Sequence, residues 1–124
     1  MKAMINQTIR RKKEYDMQLR LLEMLLSLYY DEAYERQLAQ AKQRLAVTNA
    51  LLSTLDADEA FVISRRIIED LGWAKIYKEF EEMWGAANLM SARTFRRIQA
   101  SAYAKMESFA VQDSIMYQIL MDKQ

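Results

Sequence analysis

The scarcity of helix-breaking residues constrains the fold of this chain more than any other feature. Its 124 residues include no proline and only two glycines, Gly72 and Gly85. Because proline and glycine are the residues that most often interrupt helices, their scarcity favours helix along nearly the whole sequence. Hydrophobic residues make up 52% of the chain, which is enough for a packed core. The sequence therefore predicts an all-α fold with one domain, or one small domain and a helical arm.

Two missing residue types narrow the chemistry. The chain contains no cysteine and no histidine, so it has no thiolate nucleophile, no imidazole base and no Cys- or His-ligated zinc. Acidic neighbours such as Asp58 and Glu59 are explained more simply by helix capping and solvated faces than by metal binding or acid–base catalysis. We therefore expect no enzymatic activity, no metal and no cofactor.

Hydrophobic periodicity predicts two long helices at the start of the chain, 5–30 and 34–54, with a break near Asp31. In the first helix Leu21, Met24 and Leu28 form an apolar stripe that Leu22 widens. The second helix has a heptad seam: Leu38, Ala41, Leu45, Thr48, Leu52 and Leu55. Such seams occur both in antiparallel hairpins and in dimerising coiled coils. The pattern leaves open whether these helices pack together or form a homodimer.

Capping signals divide the rest of the chain. Asp56 and Glu59 have the spacing of a capping box that begins a third helix, and Gly72 is predicted to end it in the left-handed conformation. Further helices are predicted over 73–84, ended by Gly85, then over 92–106 with Ser91 as N-cap, and over 108–121. The predicted organisation is a helical hairpin or oligomerisation arm (1–54), a helix-turn-helix domain (55–107) and a C-terminal helix (108–124).

Charge is strongly segregated although the net charge is only +1. Segment 56–83 has twice as many acidic as basic residues, whereas segment 84–106 has four basic residues and no acidic ones. A second basic block, Arg10 to Lys13, is either a solvated arm or a contact for phosphate, anionic lipid or an acidic partner. A binding partner responds to such local fields rather than to the total charge.

The helix over 92–106 has the pattern of a recognition helix. Helical geometry puts Phe95, Ile98, Ala102 and Met106 on one face and Arg93 and Arg97 on the other, beside Arg96 and the small residues Ala100, Ser101 and Ala104. Arginine suits both phosphate and guanine, and small side chains allow close approach to a groove. A helix, a turn and a capped basic helix together are typical of a helix-turn-helix.

The residues predicted to bind double-stranded DNA follow from this pattern. Arg93, Arg96 and Arg97 are the candidates for contact with bases. Candidates for phosphate are Ser91, Thr94, Ser101 and Lys105 on the recognition helix, and Lys75 and Lys78 on the preceding helix. The simpler alternative is that the arginines form a solvated face that pairs with the acidic helices.

These residues also carry a resemblance to a known family. Its motifs are Leu55 to Glu59, Gly72 to Phe80, and Ser91 to Arg97 followed by an alanine-rich run to Met106. This half of the chain resembles the region-four DNA-binding domain of bacterial sigma factors, and more closely the ArpU/RinA-like late-transcription regulators of phages and prophages. The resemblance implies a sigma-like, sequence-specific regulator of phage late genes in a bacterial host cell, with RNA polymerase as a further candidate partner.

Two other functions remain open. A small-terminase-like subunit that recognises DNA for phage packaging would join a helix-turn-helix to an oligomerising helical part. A protein-interaction module would use its apolar helices without touching DNA. The apolar run 17–30 is shorter than the roughly 20 residues that span a bilayer, and no signal-peptide pattern is present. We therefore expect a cytoplasmic protein without a membrane partner.

Overall fold

The computed structural model describes residues 1–85 and 92–121, and throughout these ranges the regular structure is helical. The helices are α1 (Lys2–Arg10), α2 (Lys12–Leu28), α3 (Glu32–Leu52), α4 (Ala57–Ile63), α5 (Trp73–Trp84), α6 (Ala92–Gln112) and α7 (Ser114–Met121). A π-helical turn, Ser64–Ile68, continues α4. The predicted all-α fold is confirmed.

Helices α2 and α3 pack against each other as an antiparallel hairpin. Asp31 begins α3, because its Oδ1 accepts hydrogen bonds from the amides of Ala33 (2.8 Å) and Tyr34 (3.2 Å). Ala41 and Thr48, which belong to the predicted heptad seam, are buried. Leu52 and Leu55, at the end of the seam, pack against the main core. Much of the predicted seam is therefore covered within the chain.

The first predicted helix, 5–30, is wrong as a single element. The backbone departs from helical geometry at Arg11, with φ −91° and ψ 8°, and this residue separates α1 from α2. The break lets α1 pack against α6 and α7, where Ile5 and Ile9 are fully buried. Burial of these two side chains accounts for a break that no proline or glycine marks.

The main core joins helices that are distant in the sequence. It brings together side chains from α1, α3, α4, the π-helical turn, α6 and α7, among them Ile9, Leu51, Ile67, Met106 and Leu120. The predicted segments 1–54, 55–107 and 108–124 all contribute to this core. The boundaries between those segments stay a prediction.

Two helix ends differ from expectation. Gly72 does not end a helix in the left-handed region; it has φ −71° and is the N-cap of α5, and Asp70 has the positive φ of 56° instead. The predicted helix over 92–106 continues to Gln112, because Ala110 extends its buried face. Asp113 then starts α7 by accepting hydrogen bonds from two amides at 3.0 Å. Gly85, at φ 84°, ends α5 as predicted.

Candidate nucleic-acid interface

An aromatic cluster fixes the start of α6 against α4 and α5. Phe95 is 1% exposed, and its ring centroid lies 4.8 Å from that of Tyr77 and 5.1 Å from that of Phe80. Phe61 of α4 meets Phe80 edge to face, with centroids 5.9 Å apart. Aromatic pairs of this geometry add about 0.5–1.5 kcal/mol each beyond area burial. The first two turns of α6 are therefore held in place by the side that faces the protein.

The opposite side of α6 is exposed. Three exposed residues in its first two turns form what we call the arginine face: Arg93, Arg96 and Arg97. Ala100 and Ala104 continue this exposed side, whereas Phe95, Ala102 and Met106 are buried. The predicted division between buried and exposed faces is confirmed at these positions, while Ile98 of the predicted buried face is half-buried against the aromatic cluster.

The arginine face has no ion-pair partner among residues 1–85 and 92–121. Other cations in the chain do pair, as Arg65 does with Glu79 at 2.8 Å. Each guanidinium carries five N–H donors in a planar fork. Within the described chain, these donors on the arginine face remain available for an external anion.

Lys105 and Ser101, two of the predicted phosphate contacts, take part in a network within the chain. The ammonium of Lys105 lies 2.6 Å from Glu59 Oε1 and 2.9 Å from Asp56 Oδ2, and the Ser101 hydroxyl donates to Glu59 Oε2 at 2.8 Å. These bonds tie α6 to the start of α4. Both side chains therefore bind the carboxylate of Glu59 in this structure, and their predicted contact with phosphate stays a prediction.

The pKa values in this network shift in opposite directions. Burial favours a higher pKa for Glu59, but hydrogen bonds from Lys105, the Asp56 amide and Ser101 outweigh it, and the pKa lies below its usual 4.5. The hydrogen bond to Glu59, followed by that to Asp56, raises the pKa of Lys105. Both groups are therefore charged at neutral pH.

Three acidic residues lie close together at the start of α4: Asp56, Asp58 and Glu59. One carboxylate oxygen from each lies within 4.8 Å of the other two. Such spacing is compatible with a bound cation. Here the ammonium of Lys105 contacts both Asp56 and Glu59. A positive charge from the chain itself thus already compensates this group.

The remaining predicted site residues divide into three cases. Lys75 and Lys78 are exposed on α5, and neither takes part in an ion pair within the described part of the chain. Thr94 is half-buried on α6. Ser91 lies outside the described residues.

Two arginines that the sequence analysis did not single out contact the same aromatic cluster. The Arg65 guanidinium lies 4.9 Å from the Phe61 ring centroid, and that of Arg66 lies 4.8 Å from the Trp73 ring centroid. Arg66 also donates to the carbonyl of Leu71 at 3.0 Å. The Arg65–Phe61 contact has the local i, i+4 spacing of helical neighbours, whereas the Arg66–Trp73 contact depends on how the π-helical turn meets α5.

The N-terminal basic block is largely neutralised within the chain. Arg11 pairs with Glu14 at 2.8 Å, Lys12 with Asp16 at 3.4 Å, and Lys13 with Glu69 at 2.6 Å. Exposed pairs of this kind contribute little to stability. They do reduce the field that the block presents to a partner, so the arginine face is the stronger candidate for an anion contact.

Comparison with known proteins identified no relative of this chain. No protein-family model matches the sequence, and no curated protein and no solved structure shows significant similarity to it. Among the described helices, none is both long enough and apolar enough to cross a membrane.

Proposed function

We propose that this chain is a sequence-specific DNA-binding regulator of transcription that inserts α6 into the major groove of duplex DNA. One observation carries the proposal. The arginine face projects from the first two turns of α6, opposite the buried Phe95, and has no carboxylate partner among the described residues.

The position and the hydrogen-bond donors of the arginine face suit DNA recognition. Recognition helices contact base edges mainly through their N-terminal residues, and Arg93, Arg96 and Arg97 lie in that part of α6. Arginine can donate two hydrogen bonds to the O6 and N7 atoms of guanine. Lys75 and Lys78 on α5 supply positive charge for phosphates.

The biological setting rests on the sequence resemblance alone. The sigma-like pattern supports control of phage or prophage late genes, with RNA polymerase as a further partner in the bacterial cytoplasm. A small-terminase-like packaging subunit would use the same DNA contact. It would differ by forming a ring-sized oligomer, which light scattering distinguishes from a monomer or dimer.

A protein-interaction module is the second candidate, and exposed apolar side chains on α2 favour it. Met17 and Leu28 are each 71% exposed. A contact through such residues would change little with salt, whereas DNA affinity falls steeply as salt rises because bound counterions are released.

Selection of bound sites from random duplex DNA, followed by salt titration of the selected duplex, tests the proposal. We expect an enriched motif and an affinity that falls linearly with salt on logarithmic axes. The same sequence as a single strand is the control for duplex recognition. Failure to enrich any motif, together with salt-independent binding to a protein partner, would favour the second candidate.

A further inference from the structure

The outer side of α2 carries an apolar stripe that no other described residue covers. Its members are Met17 (71% exposed), Leu21 (52%), Met24 (54%) and Leu28 (71%). They follow one another at intervals of four, three and four residues, which is the spacing of a coiled-coil seam. Tyr15 and Leu22 are buried on the inner side of the same helix. The stripe is therefore additional to the contacts that hold the hairpin together.

The exposed surface around the stripe is large enough for a dimer interface. Tyr29 and Tyr30 follow the stripe directly and are also more than half exposed. If all the exposed surface of these six residues were buried, backbone and hydroxyl atoms included, each copy would contribute at most about 700 Å² and a pair about 1,400 Å², within the range of about 1,200–2,000 Å² for specific interfaces. Contiguous exposed apolar patches of this size are uncommon on monomers. The area thus favours a protein partner of similar shape.

The charges at the two ends of α2 favour a second copy of the chain as the partner and an antiparallel orientation of the two α2 helices. Residues 10–16 at the N-terminal end of α2 hold four basic and two acidic side chains, and residues 31–36 beyond its C-terminal end hold three acidic and one basic. Intrachain pairs weaken the basic end, but the two ends keep an excess of opposite sign. A parallel pair of α2 helices would bring like charges together. An antiparallel pair brings the acidic turn of one copy towards the basic block of the other.

We propose that the chain forms a dimer in which α2 pairs antiparallel with α2 of a second copy. Met17 of each copy lies opposite Leu28 of the other, and Leu21 lies opposite Met24. This surface differs from the predicted seam of α3, where Ala41 and Thr48 are buried within the chain. The proposal does not depend on DNA binding and is tested without DNA.

Sedimentation equilibrium of the full chain tests the interface. We expect a dimer at micromolar concentration. The double substitution Leu21→Glu with Met24→Glu should raise the dimer dissociation constant about 100-fold or more, since it would bury carboxylates without partners. Ile115→Glu is the matched control, because Ile115 is 68% exposed on α7, and it should leave the dimer intact. Circular dichroism of each variant checks that the helices are retained.

A monomeric parent chain across the accessible concentration range would overturn the proposal. So would a double variant that dimerises as strongly as the Ile115→Glu control. If the double variant does not fold, the single variants Met17→Ser and Leu28→Ser replace it. They should weaken the dimer in proportion to the apolar area lost, and an unchanged dissociation constant in both would again overturn the proposal.

Cross-linking tests the direction of pairing. The chain contains no cysteine, so Met17→Cys and Leu28→Cys variants each carry a single thiol. With a short bis-maleimide reagent, antiparallel pairing predicts a cross-linked product from an equimolar mixture and little from either variant alone. Self-coupling of each variant without the mixed product would indicate a parallel pair. That result, or a yield no higher than that of an Ile115→Cys control, would overturn the proposed arrangement.

Discussion

The ammonium of Lys105 lies 2.6 Å from the carboxylate of Glu59 and thereby joins the middle of α6 to the first turn of α4. Glu59 is 4% exposed. It also accepts hydrogen bonds from the Ser101 hydroxyl (2.8 Å) and from the Asp56 amide (2.9 Å). The helix that carries the arginine face is thus anchored by a polar network as well as by apolar contacts.

Removing the charge of Glu59 should destabilise the fold. Glu59→Gln leaves Lys105 without its closest carboxylate, and we expect the free energy of unfolding to fall by about 1–3 kcal/mol. Urea denaturation followed by tryptophan fluorescence measures it. Glu82→Gln, at an exposed position on α5, is the control and should change stability by less than about 0.5 kcal/mol. Equal midpoints for the two variants would contradict a structural role for the network.

The same carboxylate should make stability depend on acid pH. The pKa of Glu59 is lower in the folded chain than its usual 4.5, so the unfolded chain binds this proton more readily. The stabilisation is fully present above about pH 4.5 and is lost as the pH falls through the lower folded pKa. The pKa values of Glu14 and Glu69 are also lowered, by Arg11 and Lys13 respectively, so part of the acid sensitivity lies outside this network.

Urea denaturation of the parent chain and of Glu59→Gln at neutral pH and at about pH 3 separates the contribution of Glu59. The difference in unfolding free energy between the two proteins should narrow at the lower pH. A difference that stays constant, or widens, would show that Glu59 does not titrate with a lowered pKa.

Truncating Phe95 should lower the free energy of unfolding more than any other single substitution at the aromatic cluster. Its ring contacts those of Tyr77 and Phe80, and Phe95→Ala would leave a cavity that costs about 3–5 kcal/mol. Thermal unfolding followed by circular dichroism measures this loss. Met83→Ala, at a position 61% exposed on α5, is the control. A Phe95→Ala variant as stable as this control would mean that the cluster does not hold α6.

The two glycines should respond differently to substitution. Gly85 has φ 84°, a conformation that costs a residue with a Cβ about 1–3 kcal/mol. Gly72 has φ −71° and no atom within 4 Å of a Cβ placed on it, so Gly72→Ala should change stability by less than about 0.5 kcal/mol. Chemical denaturation of both alanine variants compares them. A larger loss at Gly72 than at Gly85 would contradict the observed backbone geometry.

Local signals in the sequence were enough to predict much of the fold. The spacing of Phe95, Ala102 and Met106 predicted the buried face of α6 because helical periodicity is a property of one segment. Asp31 and Gly85 predicted the breaks at their positions for the same reason. The exposed arginine face followed from the same periodicity, because charged residues opposite the apolar face of an amphipathic helix normally face solvent.

Contacts between distant segments could not be predicted in this way. From the sequence alone, Ser101 and Lys105 are polar residues of α6 with no evident partner in the chain. In the structure both donate hydrogen bonds to Glu59 of α4, which lies 42 residues before Ser101. The break at Arg11 has no local signal because burial of Ile5 and Ile9 causes it. In α2 periodicity grouped Leu21 with Leu22, although the structure exposes the first and buries the second. Only the position of α3 decides which apolar face is covered.

Fluorescence anisotropy with a selected duplex tests DNA binding by the arginine face most directly. Arg97→Ala should cost about 1–3 kcal/mol of binding free energy if Arg97 reads a base. Arg93→Ala, Arg96→Ala and Arg97→Ala combined should abolish sequence preference and reduce the dependence of affinity on salt. Arg36→Ala, on the exposed surface of α3, is the control and should bind as the parent does. A triple variant that binds cognate and random duplexes as tightly as the parent, with the same salt dependence, would contradict the proposed DNA interface.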